Sequence, residues 1–339
     1  MAGVPVFAVF VSFWALLMLE KWKRKQAVLA LEWGTSSFED EELDRPEFEG
    51  SMRPSLVDGK ERMFFAEEKR HELEGQSTRV VMTLIVLVCI VVASIFALRW
   101  FLVNGVGRWG VTYGPPIASL ANGVTIEVLN QAYKAVAVGL TDRENHRTDT
   151  MYEDSLVGKL FMFEFVNSFA SFYYLAFAKR AVDGCDPSPQ GHPSCMYALQ
   201  INLVTIFFVK LATNQVKGIV MPLLKLKREN AAEAQAAADR GVERTDAEVQ
   251  MVLETRDEML SVMDDYKELA IQFGFTSIFV TAFPLAPALA FASNYIEIRG
   301  DAYKCLKVCQ RYVWCYCYYY HAPLLLLLLL PRFHCSLVS

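Results

Sequence analysis

No G-x-S-x-G, G-x-x-x-x-G-K-[ST] or H-E-x-x-H motif occurs in the chain, and its five histidines do not cluster at ligand spacing. The commoner hydrolase, nucleotide-hydrolase and metalloprotease chemistries are therefore not expected, and the chain is read as a non-enzyme. A basic stripe is also missing, so nucleic acid is not an expected partner. Met1–Leu19 has no basic leading segment and no small-residue cleavage site before Lys21-Trp22-Lys23-Arg24-Lys25. A retained span with a cytosolic basic collar is therefore expected rather than a cleaved signal peptide.

Evenly mixed charge is lacking as well. The 339 residues are 53% hydrophobic and 21% charged. The charges gather in blocks at 21–79, 141–155, 179–198 and 223–265, with long apolar runs between them. A bilayer demands this segregation, because a spanning helix needs about 20 mostly apolar residues. The net charge of −5 is uninformative, since its sign changes from block to block. The expected fold is all-α: a polytopic helical membrane protein of about seven spans ending in a helical hairpin.

The first span is expected within 1–20, and a cytosolic connector covers 21–79, with an acidic stretch from Glu39 to Glu49. The transmembrane region runs from 80 to 304. Its spans are predicted at 80–103, 117–140, 156–178, 199–221, 264–283 and 288–304, with Pro284 and Pro287 at the final bend. Between 103 and 117, Gly105, Gly107, Gly110 and Gly114-Pro115-Pro116 predict a loop. The connector carries eleven Lys/Arg and 223–263 carries six, against Arg99, Arg108, Lys179 and Arg180 near the opposite loops. The N-terminus of the first span then faces outward. Cys185 and Cys195 fall in an extracellular or lumenal loop, where they are a disulfide candidate, the alternative being two free thiols. Residues 305–339, with seven consecutive leucines at 324–330, read as a low-complexity tail. The spacings of Cys305, Cys309, Cys315 and Cys317 match no standard zinc pattern.

Carboxylates at membrane depth cost about 2.5–3.5 kcal/mol each on insertion scales. Asp265 and Glu268 are three residues apart, and Glu297 and Asp301 are four apart, so each pair shares a helix face. A hairpin would bring the two faces together. Four like charges with oxygen donors point to a hard cation, calcium rather than zinc or copper. In the competing reading, Asp265 and Glu268 open a water-exposed helix and Glu297 pairs with Arg299. Periodicity alone leaves both open.

EFVNSFASFYYLAFAK (164–179), KLATNQVKGIVMPLLK (210–225) and IQFGFTSIFVTAFPLAPALAFASNYIEIRGDAYK (271–304) resemble the anoctamin family of calcium-activated lipid scramblases and chloride channels. KWKRKQAVLALEWGT (21–35) and ENHRTDTMYEDSLVGK (144–159) add to the likeness, the latter to its scramblase-like branches. The resemblance covers about 5–304 and implies a fragment lacking the family's N-terminal domain, first span and last spans. It implies a calcium site of Asn214, Asp265, Glu268, Glu297 and Asp301. One departure stands out: Gly218, beside Lys217, replaces a family glutamate, and weaker calcium binding or a single well-filled site is the expected result.

The implied function is calcium-activated phospholipid scrambling through a membrane groove. The alternatives are a calcium-activated chloride or ion channel, or a membrane tether that transports nothing. Asn122, Glu127, Asn130, Glu164, Asn167, Ser168 and Ser171 would line the groove, or else bond helix to helix. The partners implied are membrane phospholipids, anions for the channel reading, and a second copy of the intact family protein as a homodimer. Whether the membrane is plasma membrane or endoplasmic reticulum is left open.

Overall fold

The computed structural model describes residues 3–35, 38–54, 59, 61–182, 184–185, 195–241, 245, 253 and 258–309. Helix α1 (Gly3–Glu32) carries the first span and continues unbroken through the basic collar. A short α2 (Phe38–Glu41) and an antiparallel hairpin of β1 (Ser51–Pro54) and β2 (Glu61–Phe64) follow in the connector. Then come α3 (Glu67–Gly105), α4 (Gly107–Arg143), α5 (Asp149–Tyr173) and α6 (Lys179–Val182). The second half holds α7 (Cys195–Gln215), α8 (Met221–Arg240), α9 (Glu258–Ile278) and α10 (Ala286–Lys307). Among the described residues, four stretches are long and apolar enough to cross a membrane: Pro5–Glu32, Glu67–Gly105, Asp149–Val182 and Cys195–Asp239. α4, α9 and α10 occupy the other predicted span positions, but their polar and charged residues keep them from qualifying on apolarity alone.

The predicted loop before residue 117 is instead the first three turns of α4, a correction with a steric reason. Gly107 turns the chain at a φ of 69°, which only glycine adopts freely. Gly110 and Gly114, one turn apart, then let α4 lie directly against α3. A Cβ on Gly110 would collide with the Leu102 carbonyl oxygen, and one on Gly114 would lie 3.2 Å from the Leu102 Cβ. The glycines serve close helix packing rather than a flexible link. Pro115 and Pro116 are accommodated inside the helix.

The chain divides into two compact units. The first, Met1–Ile206 with Tyr266–Phe283, is built on α3, α4 and α5, which pack on one another. The buried residues of α3, Val81, Val88, Val92, Phe96 and Val103, fall at helical spacing on one face. Tyr133 of α4 stacks on Phe163 of α5, with ring centroids 3.8 Å apart. Cys185 and Cys195 are joined by a disulfide, with Cα atoms 4.7 Å apart.

In the second unit, Phe207–Asp265 with Pro284–Ser339, a π-helical turn at Val216–Val220 joins α7 to α8 and packs against α10. Pro222 has no N–H to offer the Gly218 carbonyl, and the Met221 N–H reaches five residues back to Val216. α10 runs past Lys304 to Lys307, and Val308 and Cys309 behind it are buried. The rest of the tail, including Cys315 and Cys317, lies outside the described residues.

Candidate functional site

Asn214 lies at the end of α7, one turn before the π-helical turn that contains Gly218. Asp265 and Glu268 sit on α9, and Glu297 and Asp301 on α10. All five are half-buried. Within the second unit, Glu297 is in electrostatic range of both Asp301 and Asp265, so carboxylates from two helices act on one another. Arg299 does not turn to Glu297. It donates to the Tyr295 hydroxyl, and its guanidinium carbon lies over the Tyr295 ring, 4.5 Å from the centroid.

The chemistry of this donor set fits calcium: hard carboxylate oxygens from two helices, plus an amide at the end of α7. Among the described residues, however, no three His, Cys, Asp or Glu side chains are gathered to metal-binding distance. Gly218, where a family ligand is expected, has nothing within 4 Å of the position a Cβ would take. A longer side chain there has room.

The polar residues of α4 and α5 are placed inside the first unit. Asn122, Glu164, Asn167, Ser168 and Ser171 are buried, and Glu127 and Asn130 are half-buried. The Asn167 Nδ2 donates to the Asn130 Oδ1 at 2.7 Å and to the Ile126 carbonyl at 3.0 Å. Asn202 of α7 donates to the Ser171 hydroxyl at 3.3 Å. Glu164 forms an ion pair with Lys267 of α9 at 3.2 Å. Such bonds hold helices together where water is scarce.

Sequence reasoning missed a buried ionic node at the junction of α3, α4 and α5. One oxygen of Glu144 accepts from Lys159 Nζ at 2.7 Å and Ser155 Oγ at 2.8 Å, and pairs with His146 Nε2 at 2.8 Å. Burial pushes the Glu144 carboxyl up, but hydrogen bonds from His146, Lys159, Ser77 and Ser155 outweigh it and hold its pKa down to about 2. Only the charge of Glu144 and Lys159 was visible beforehand, fifteen residues apart.

The connector is tied to the same loop. Arg45 binds Asp149 at 3.0 Å and lies 3.9 Å above the Tyr152 ring. Arg147 pairs with Asp44 at 2.6 Å. Asn145, in the left-handed region at a φ of 54°, accepts from the Glu49 N–H at 2.9 Å and donates to its carbonyl at 2.7 Å. Glu42 accepts from the Thr150 N–H at 3.0 Å, capping the start of α5 together with Thr148. The pairing of 42–49 with 144–152 has no periodic signal in the sequence, because it is made by loops about a hundred residues apart.

The family model described as "Anoctamin: Calcium-activated chloride channel" matches residues 1–315. The chain belongs to the anoctamin family. It is 34% identical to human Anoctamin-7 over 334 residues, covering 89% of this chain and 35% of that protein. It is 31% identical to bovine Anoctamin-4 over 337 residues, covering 88% and 35%, and 30% identical to mouse Anoctamin-3 over 349 residues, covering 89% and 33%. The chain thus spans about a third of the length of the curated relatives it matches. The match passes Lys304 and enters the first part of the tail, in keeping with the helix that runs to Lys307. An integral, helical membrane protein follows from family and span content together.

Proposed function

We propose that this anoctamin works as a calcium-activated phospholipid scramblase, moving lipids downhill between leaflets without ATP. The observation that carries this reading is the electrostatic range of Glu297 to Asp301 on its own helix and to Asp265 on α9. Asn214, Asp265, Glu268, Glu297 and Asp301 would hold the ion. When bound, calcium supplies positive charge that offsets the repulsion of the acids. The π-helical turn Val216–Val220 follows Asn214 and packs on α10, and such local departures from α pairing are frequent at functional sites.

Lipid headgroups would travel along the polar residues of α4 and α5. Glu127 and Asn130 are the accessible members of that set, whereas Asn122, Glu164, Asn167, Ser168 and Ser171 contribute only once their helices separate. The intact protein would act as a homodimer. The family description favours a second reading, a calcium-gated anion channel.

The two readings separate in one experiment. Lipid exposure and membrane current are recorded together while cytosolic calcium is stepped in cells expressing the protein. Lipid exposure rising with calcium is expected. Anion-selective current without lipid exposure would move the protein to the channel class, and neither response would leave a non-transporting tether.

A further inference from the structure

Lys267 stands between Asp265 and Glu268, two of the acids assigned to calcium, where a cation would be expected to interfere. It is directed elsewhere. Its Nζ lies 3.2 Å from Glu164 Oε2 on α5, and the two side chains are 17% and 11% exposed. Each helical residue turns by about 100°, so Lys267 points roughly 160° away from Asp265. Residues 267, 271, 274 and 275 follow the spacing of a single helix face. The later members of that face meet α5. Ile271 is buried, and a Cβ on Gly274 would strike the Phe169 ring, 2.6 Å away. Phe275 lies 4.8 Å from Phe169 and 5.3 Å from Phe172, centroid to centroid. Lys267 is the charged head of the stripe that seats α9 on α5.

We propose that the Glu164–Lys267 pair is a positioning latch, fixing the rotation of α9 on α5 and hence the direction in which Glu268, in the same unit, presents its carboxylate to a calcium ion. The inference rests on the calcium-gated reading above. Aromatic contacts alone tolerate small rotations of a helix, because the attraction between rings is spread over many atoms. An ion pair shielded from water is far more sensitive to separation, and neither charge is easily left alone. Glu164 is then a positioning residue, acting through α9.

The test uses the full chain, purified in detergent for calcium-induced thermal shifts and reconstituted in phosphatidylcholine–phosphatidylserine vesicles for lipid flipping. In E164Q, the loss of the ion pair and the loosened seating of α9 should raise the half-saturating calcium concentration about tenfold in both readouts. The charge-swapped E164K/K267E should return it to within about threefold of the unaltered protein, because a reversed pair holds the same rotation. A purely structural bridge would lower the calcium-free melting temperature without moving the calcium midpoint, which would overturn the latch. So would a swap as impaired as E164Q. If E164Q fails to fold, the swap alone decides: a midpoint near that of the unaltered protein supports the latch, and a displaced one overturns it. An unaltered protein with no calcium shift removes the calcium reading and the latch together. A normal calcium shift with an unmoved E164Q removes the latch alone.

Discussion

At the scale of single residues, the buried node around Glu144 shows how several donors share one buried charge. Glu144 holds its charge because Lys159, Ser155, His146 and Ser77 all serve it, and its carboxyl is lowered to about 2. The folded value lies below the ordinary one, so this stabilisation is complete above about pH 4.5 and fades as pH falls from there towards about 2. Thermal unfolding followed across that interval should lose part of its pH dependence, the share due to residue 144, in Glu144→Gln. At pH 7 the same substitution should destabilise by about 3 kcal/mol, because Lys159 is left as an uncompensated buried cation. Gly218 offers the opposite kind of change. With open space at its Cβ position, Gly218→Glu should add a carboxylate beside Asn214 and lower the half-activating calcium concentration. Calcium titration of lipid exposure measures it, and an unchanged or higher midpoint would remove residue 218 from the site.

At the scale of elements, the apolar runs at 80–103, 156–178 and 199–221 were legible because a span needs length and hydropathy, and both are local properties. The segment before 117 was misread because glycine and proline mark loops in water, while between membrane helices the same glycines mark close contact. Gly110 is the sharpest case, since its missing Cβ leaves space for the Leu102 carbonyl of the preceding helix. Gly110→Val should force α3 and α4 apart and cost about 1–3 kcal/mol, read as a lower melting temperature in detergent. Asn167 bonds α5 to α4 through two contacts, and Asn167→Leu should cost about 1–2 kcal/mol in the same measurement. Its pairing with Asn130 could not be read from sequence, because helix rotation is decided by tertiary packing rather than by period. The Glu164–Lys267 pair was hidden for the same reason, although two opposite charges within neighbouring spans were a usable hint.

At the scale of the whole molecule, family membership, helical class and membrane character all follow from features the sequence states openly: segregated charge, span-length apolar runs and the long block from Ile271 to Lys304. The acidic positions were legible too, as paired carboxylates at helical spacing where charge is costly. Their grouping was only half legible: Glu297 is within electrostatic range of Asp265 and Asp301, whereas Glu268 rests on its spacing from Asp265 and on the resemblance, and Asn214 on the resemblance alone. The connector's grip on the 144–152 loop was not legible, because it depends on backbone bonds and single ion pairs between distant loops. Calcium binding by these acids underlies the proposed activity, so the most direct measurement is a calcium titration of the purified protein by calorimetry, with and without Glu297→Gln/Asp301→Asn. Saturable calcium binding that disappears in the double variant is the predicted result. Binding that persists undiminished in the variant, or none in the unaltered protein, would contradict it.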